Sequence, residues 1–336
     1  MNLYCAIDTY KKISILGMSK NSGKTVVLNE MIDICKKKKR KVCLTSIGVD
    51  GEGRDIVYKT QKPKIYAYEG TLIATSEEAL KSFSAKYEII DILPFSTCLG
   101  RIVIVKIIRD GYVLLAGPDS NREIAKVSDM MLTLGGDIVL IDGALNRKTQ
   151  GSPSITDACI LSTGASLSRD INITIKKTKH TVDMLSLNKV QEDILNKINT
   201  LNFKNVLLIG DNTIDTNIKT SLGNEDEILN RIDKNIKYIY LPGSLTGTFL
   251  NKIKGLEVDI IVKDGTKIFI NREDYDSFRG AGGNIYVLER INLICVTQNP
   301  TSPFGYYYNP DVFLQNLRRA LYPLDVYDVL YEGVGV

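Results

Sequence analysis

The sequence has 336 residues, of which 44% are hydrophobic and 24% charged, and its formal net charge is +4. This composition is typical of a folded globular protein and argues against wholesale disorder, and the length predicts two modest domains or one large α/β unit. The small net charge gives no indication of nucleic-acid binding, and we expect none.

The cysteine and histidine content excludes several kinds of site. The six cysteines are scattered without a Cys-x-x-Cys pair, and His180 is the only histidine. The sequence therefore predicts neither a zinc site nor a Cys-His or Ser-His catalytic pair. The N-terminus lacks the basic start and apolar core of a secretory signal, and no apolar run approaches the roughly 20 residues that span a bilayer. We therefore expect a cytoplasmic protein with reduced thiols and no membrane association.

In the first half of the chain, apolar runs alternate with helical patterns. Strands are predicted at 13–16, 41–47, 137–141 and 158–161, and extended segments at 64–75 and 100–116, the second with a hairpin turn at 109–111. Helical spacing follows the first strand between residues 26 and 34. A further helix is predicted at 121–134, with Asp119 or Ser120 as its N-cap and two glycines as its stop.

The second half repeats this alternation. Strands are predicted at 206–209, 238–241, 258–262, 285–288 and 293–296, and helices at 225–232, 245–253 and 310–321. The pattern predicts an α/β fold with a mostly parallel sheet and helices on both faces, plus a second smaller α/β region. We expect a first domain at 1–175 and a C-terminal region at 200–336, divided within the polar stretch 176–204.

The most informative segment is Gly17-Met-Ser-Lys-Asn-Ser-Gly-Lys-Thr25, which lies between a predicted strand and a predicted helix. Glycines let backbone amides surround phosphate oxygens, a lysine binds the terminal phosphates, and a Ser or Thr hydroxyl ligates magnesium. The N-terminus of the following helix adds the positive end of its dipole. The predicted phosphate-binding residues are Gly17, Ser19, Asn21, Ser22, Gly23, Lys24, Thr25 and Val26, with Lys24 also catalytic and Thr25 a magnesium ligand.

A carboxylate is also needed to hold magnesium during phosphoryl transfer. Asp142 ends an apolar strand, where ligands bind in open parallel sheets, so it is the predicted second magnesium ligand. The loop after the second strand carries Asp50, followed by Glu52 and Asp55. Asp50 is the leading candidate for a further magnesium contact or for positioning an attacking water. A polar loop with glycine-driven turns is the alternative interpretation of this segment.

Five residues, rather than the usual four, separate Gly17 from Gly23, and Met18 occupies the expected glycine position. This spacing resembles the loops of the dethiobiotin synthetase-like and cobyric acid synthase-like proteins. Asp142-Gly-Ala144 is similar to the Glu-Gly-Ala/Gly that ends an apolar strand in the dethiobiotin synthetase-like proteins. The resemblance covers roughly residues 11–165 and implies a P-loop nucleotide-binding domain with Mg²⁺. ATP is favoured over GTP because the chain lacks an Asn-Lys-x-Asp guanine-reading motif.

Over its whole length the chain also resembles the reactivase subunits encoded beside clostridial lysine 5,6-aminomutases. The segments that carry this resemblance are Ser19–Thr25, Ile47–Glu52, Asp142–Ala144 and Thr297–Pro303. It implies a partner ATPase subunit and a cobalamin-dependent aminomutase client, whose damaged cofactor is exchanged at the expense of ATP. The C-terminal region would then bind the partner.

Three functions stay open on these residues. The first is a nucleotide-binding protein that acts on a partner protein, as a possible ATPase. The second is an ATP-dependent ligase or kinase that activates a small carboxylate or amide, with Arg54, Lys59 and Lys62 near its substrate. The third is a module in which nucleotide only stabilises the fold. The basic run 36–41 is interpreted as a solvated helix end, and the aromatic segment 297–308 as a packed lid, with partner binding as its alternative.

Overall fold

The computed structural model describes residues 3–47, 64–144, 151–201 and 204–330. The chain divides into two units: unit 1 comprises Met1–Lys179 and Asn292–Val336, and unit 2 comprises His180–Ile291. Unit 2 is thus an insertion within unit 1. The expectation of one C-terminal region at 200–336 differs from this division. Its last part belongs to unit 1, because the chain after Ile291 supplies two strands to the sheet that begins near the N-terminus.

The bounds of the elements follow in chain order. The strands are β1 (Lys12–Gly17), β2 (Val42–Ser46), β3 (Ile65–Ala67), β4 (Leu72–Ser76), β5 (Lys86–Thr97), β6 (Gly100–Arg109), β7 (Gly111–Val113), β8 (Ile138–Ala144), β9 (Ala158–Gly164), β10 (Leu207–Ile209), β11 (Thr213–Asp215), β12 (Tyr238–Leu241), β13 (Leu245–Thr246), β14 (Asp259–Val262), β15 (Ile268–Phe269), β16 (Ile285–Val287), β17 (Leu293–Asn299) and β18 (Asp325–Tyr327). The helices are α1 (Leu3–Thr9), α2 (Lys24–Lys37), α3 (Glu77–Leu80), α4 (Asn121–Thr133), α5 (Ile171–Leu185), α6 (Glu192–Asn199), α7 (Glu225–Leu229), α8 (Gly247–Ile253), α9 (Arg272–Gly280) and α10 (Pro310–Leu321).

Unit 1 is built on a nine-stranded sheet with the order β18-β17-β9-β1-β8-β2-β4-β6-β5. Each neighbouring pair from β18 to β4 is parallel, whereas β6 is antiparallel to both β4 and β5. The prediction of a mostly parallel α/β sheet is therefore confirmed. The outer strands β4, β6 and β5 extend this parallel core with an antiparallel edge.

Helices cover both faces of this sheet, as predicted. Along β8, Ile138 and Leu140 pack in a cluster with residues of α1 and α2, including Leu28. The alternate side chains Val139 and Ile141 pack in another cluster, with residues of α4. Successive side chains of a strand point to opposite faces, so residues 138–141 of β8 are all apolar because both faces are buried there. Asp142 follows this apolar run.

Unit 2 has its own core around a five-stranded sheet of order β11-β10-β12-β14-β16. The β12–β14–β16 part is parallel, whereas β10 is antiparallel to β11 and β12. Leu208 and Ile239 pack with Phe249 of α8, and the alternate residue Leu207 packs with Ile198 of α6. This unit is the second, smaller α/β region that the sequence predicts. Within the described ranges, no helix combines the length and apolar character needed to cross a membrane.

Candidate functional site

The predicted phosphate loop lies at the carboxyl edge of the unit 1 sheet. The chain leaves β1 at Gly17 and enters α2 at Lys24, and β1 pairs in parallel with β8 on one side and β9 on the other. The amide of Met18 continues this pairing with a hydrogen bond to the carbonyl of Ser162 in β9. In open parallel sheets this edge is where ligands bind, and a following helix directs its N-terminus at them.

The backbone of the loop adopts left-handed conformations at two positions. Asn21 has φ 60°, and Gly23, the N-cap of α2, has φ 97°. Alternation of left-handed and right-handed residues turns successive backbone amides toward one side, which makes an anion-binding concavity. The carbonyl of Gly23 accepts from the amides of Val26 and Val27 at 3.0 and 3.1 Å. The first amides of a helix have no carbonyl one turn earlier, so those of Lys24 and Thr25 can serve a ligand.

Lys24 folds back across the loop toward β1. A Cβ atom added at Gly17 would lie 2.4 and 2.5 Å from Cδ and Cγ of Lys24, and 2.6 Å from Oγ of Ser22. The lysine stem therefore occupies the space that any side chain at position 17 would need. Its Nζ ends 3.9 Å from Oδ1 of Asp142. This distance gives an ion pair and is too long for a hydrogen bond.

Asp142 is brought to the loop by the register of the sheet. It lies opposite Ile15 of β1 and opposite Ser46 of β2, two residues before β8 ends. The side chains of Lys24 and Asp142 are 14% and 24% exposed, so the pair is partly screened from water yet open to a ligand.

The structure brings together the residues predicted between Gly17 and Val26, and it places Asp142 beside them. Ser22 is buried, with 1% exposure, and its Oγ makes no hydrogen bond to the residues that the structure describes. Thr25 and Val26 are half-buried in the first turn of α2. The remaining candidates, Asp50, Glu52, Asp55, Arg54, Lys59 and Lys62, lie outside the described residues.

Sequence reasoning missed the residues that hold the loop from outside. Nδ2 of Asn299, the last residue of β17, donates a hydrogen bond of 2.8 Å to the carbonyl of Asn21. The hydroxyls of Ser19 and Ser166 are 2.6 Å apart. The strand order places these residues beside the loop, because β9 borders β1 and β17 borders β9. That order is not readable from the sequence.

The donor set fits magnesium bound together with a phosphate ligand. Magnesium in such sites takes one or two carboxylates, with phosphate oxygens and water completing its shell. The hydroxyl of Thr25 and the carboxylate of Asp142 are hard oxygen donors of this kind. In the described part of the chain, no group of three or more His, Cys, Asp or Glu side chains could hold a metal ion by itself.

Burial argues against thiolate chemistry at three of the cysteines. Burial raises the pKa of Cys35, Cys43 and Cys159 to about 12, so these thiols stay protonated near neutral pH. Nε2 of His180 lies 2.9 Å from the carbonyl of Ile270.

Comparison with known proteins gives limited similarity. No protein-family model and no curated protein matches the chain. Among solved structures, the MinC:MinD cell division protein complex from Aquifex aeolicus is 13% identical, with 56% of this chain and 72% of that chain covered and a TM-score of 0.30. The signal recognition particle receptor FtsY from Elizabethkingia anophelis is 8% identical, with 94% and 70% covered and a TM-score of 0.29. At these scores the similarity supports no argument about the site, which rests on its own geometry.

Proposed function

We propose that this chain binds magnesium ATP at the loop from Gly17 to Thr25 and uses it to act on a partner protein. The observation that carries the nucleotide site is the position of Lys24. Its stem lies directly over Gly17 and its ammonium is 3.9 Å from Asp142, at the end of the strand beside β1. This arrangement concentrates a cation, a carboxylate and helix-terminal amides at one edge of the sheet.

Each residue of the site has a distinct role in this proposal. The loop amides and the ammonium of Lys24 bind phosphate oxygens and stabilise charge on the transferred group. The hydroxyl of Thr25 and the carboxylate of Asp142 hold magnesium, which neutralises phosphate charge when bound. Asp50 is the proposed further magnesium contact or water-positioning residue.

Calorimetric titration with magnesium ATP tests the nucleotide site. We expect Lys24→Ala to weaken binding at least tenfold, because a hydrogen bond to a charged group contributes about 1.5–3 kcal/mol. Lys20→Ala is the matched control, since Lys20 belongs to the same loop but is exposed. An equal loss of affinity in both variants would mean that binding depends on the total charge of the loop and not on the position of Lys24. Absence of heat with wild-type protein and any magnesium nucleotide would refute the site.

The proposed partner role is a reactivase subunit for a cobalamin-dependent aminomutase, acting with a second ATPase subunit. It rests on the resemblance of the sequence segments, and exposed aromatic residues that follow Asn299 in the chain support a protein partner. Phe304 and Tyr307 are 71% and 78% exposed on the segment that follows Asn299. Exposed aromatic side chains are enriched at interfaces. Nucleotide-dependent changes in loops can bias such a surface.

Turnover measurements separate this role from the alternative of an ATP-dependent ligase or kinase. We expect slow ATP hydrolysis by the purified chain and a clear increase when the aminomutase and the second ATPase subunit are added. Rapid ADP release with a small carboxylate or amide, and no protein partner, would instead establish the alternative. A pull-down from the native cell in ATP and in ADP would identify the client.

A further inference from the structure

The residue Asn299 links three parts of unit 1. Its Nδ2 donates to the carbonyl of Asn21 in the phosphate loop at 2.8 Å. Its Oδ1 accepts from the amide of Thr301 at 3.1 Å, at the start of the segment that carries the exposed aromatics. Its backbone lies opposite Gly164, the last residue of β9. At the end of β17, the side chain of Asn299 thus contacts the loop, while the backbone of the same residue pairs with the neighbouring strand.

Two glycines make room for this residue. A Cβ at Gly164 would lie 2.5 Å from the carbonyl oxygen of Asn299 and 3.0 Å from its Cβ. A Cβ at Gly23 would lie 3.2 Å from the Cβ of Asn299. A side chain at position 164 would collide with the backbone there, and one at position 23 would press on the asparagine. Glycine at these two positions therefore leaves room for the backbone and Cβ of Asn299 beside the loop.

The contact determines how one peptide group of the loop is oriented. In a trans peptide the carbonyl and the following amide point in opposite directions. When Asn299 holds the carbonyl of Asn21, the amide of Ser22 must point away from Asn299. Asn21 is itself in the left-handed region at φ 60°, a conformation that costs energy for a residue with a side chain. A hydrogen bond to its carbonyl stabilises this orientation.

We propose that Asn299 is a positioning residue of the phosphate loop: by holding the carbonyl of Asn21 outward, it presents the amide of Ser22 to the phosphate groups of the ligand. This inference rests on the proposed function of the loop and adds a residue to it. The ligand chemistry concerned is the polyphosphate group and not the base. Asn299 acts through the loop and does not itself contact the phosphates.

The test compares magnesium ATP with magnesium tripolyphosphate, which has no base or ribose, by calorimetric titration of the full chain. We expect Asn299→Ala to weaken both ligands by the same factor, between about threefold and tenfold, as for the loss of one hydrogen bond. Asn292→Ala is the matched control. Nδ2 of Asn292 also donates 2.8 Å to a backbone carbonyl, that of Asp157, but it lies just before the start of β17 and away from the loop. The affinities of Asn292→Ala for both ligands should equal those of the wild type.

Each other outcome overturns the inference. Weaker ATP binding with unchanged tripolyphosphate binding would place Asn299 at the nucleoside, and unchanged binding of both ligands would show that its contact is irrelevant. If Asn299→Ala fails to fold, Asn299→Asp keeps the acceptor for Thr301 but lacks the donor for Asn21. If the affinity lost in Asn299→Asp is restored in high salt, the loss comes from charge repulsion and not from the missing hydrogen bond. Lys24→Ala separates the two proposals: if it weakens binding and Asn299→Ala does not, this inference fails alone. If wild-type protein binds neither ligand, the proposed function fails and this inference fails with it.

Discussion

At and beside the phosphate loop, some positions require glycine because neighbouring atoms leave no room for a side chain. Gly17 has the stem of Lys24 directly above it, and Gly164 has the backbone of Asn299. Gly23 combines an approach to Asn299 with a left-handed φ of 97°. Two different constraints thus explain these glycines: space for a neighbouring residue, and a left-handed backbone conformation.

Gly17→Ala should therefore damage ligand binding more than folding. The added methyl group would lie within 2.5 Å of Cδ and Cγ of Lys24, and a flexible side chain can move where backbone cannot. We expect the lysine to be displaced and magnesium ATP affinity to fall about tenfold or more, with a small change in melting temperature. Titration calorimetry and thermal unfolding measure the two effects. Gly280→Ala, which places its methyl group in open space, is the control that should leave affinity unchanged. A large loss of stability without loss of affinity would contradict this prediction.

Basic residues of the run 36–41 make specific contacts at the end of helix α2. Nζ of Lys36 lies 3.5 Å from the ring centroid of Tyr68 and 3.9 Å from a carboxylate oxygen of Asp110. Lys38 donates to the carbonyl of Tyr4 at 2.9 Å and pairs with Asp8. These contacts support the interpretation as a helix end, stabilised by neighbouring groups as well as by the dipole of α2.

The sequence could predict Lys24 and Asp142 because their chemistry follows from local patterns. Each lies at a fixed distance from a strand end, and a strand end is visible as an apolar run. Asn299 could not be predicted in the same way, because its contact joins residues 278 positions apart. Only the order of strands in the sheet brings these residues together, and no local pattern encodes that order.

At the scale of elements, buried parallel strands were the easiest to predict and the exposed edge was the hardest. The hairpin predicted at 109–111 is wrong. β6 pairs instead with β5, which was not predicted, and the chain turns between Thr97 and Gly100. β5 is largely exposed, contains Pro94, and its register shifts at three places. These irregularities remove the alternation by which a strand is recognised, and they are typical of protected sheet edges.

Helix α4 shows the opposite case, since local chemistry defines its start. Ser120 adopts an extended conformation, and its Oγ accepts from the amide of Glu123 at 3.3 Å. This confirms Ser120, one of the two predicted caps. Helix α5 was missed because it is rich in β-branched residues and because three of its buried positions, Thr174, Thr178 and Thr181, are threonines, which weakens the apolar stripe.

Ser120→Ala should destabilise unit 1 by about 1 kcal/mol, because the first turn of α4 loses its side-chain acceptor. Ser120→Asp is the matched replacement, since a carboxylate caps equally well and interacts favourably with the helix dipole. Urea unfolding measures both variants. If alanine and aspartate cost the same, the hydrogen bond seen at this cap contributes nothing measurable to stability.

At the scale of the whole molecule, two units with separate cores share one chain. Phe249 and Phe313 are both fully buried, the first in unit 2 and the second in α10 of unit 1. The predicted ligand residues and Asn299 all belong to unit 1. Two α/β regions are indicated by the sequence pattern, but that pattern does not indicate the return of the chain to the first sheet. The strands before and after unit 2 have similar apolar patterns.

Differential scanning calorimetry should resolve this organisation. We expect two unfolding transitions, and magnesium ATP should raise the midpoint temperature of the unit 1 transition only. Phe249→Ala should lower the other transition by more than about 10 °C, since removing a buried phenylalanine costs about 3–5 kcal/mol. Phe313→Ala, the matched variant in unit 1, should lower the transition that responds to ATP. A single transition affected alike by both substitutions would show that the units unfold as one.

The insertion of unit 2 also has a consequence for synthesis on the ribosome. Domains generally fold as units, from the N-terminus onward, while the chain is being made. β9 emerges before unit 2, and its neighbour β17 emerges after it, so one side of β9 stays an open edge while all of unit 2 is translated. The asparagine that holds the phosphate loop is delivered with β17. The nascent chain therefore completes the proposed ligand site only after unit 2 has been translated, long after the loop itself has left the ribosome.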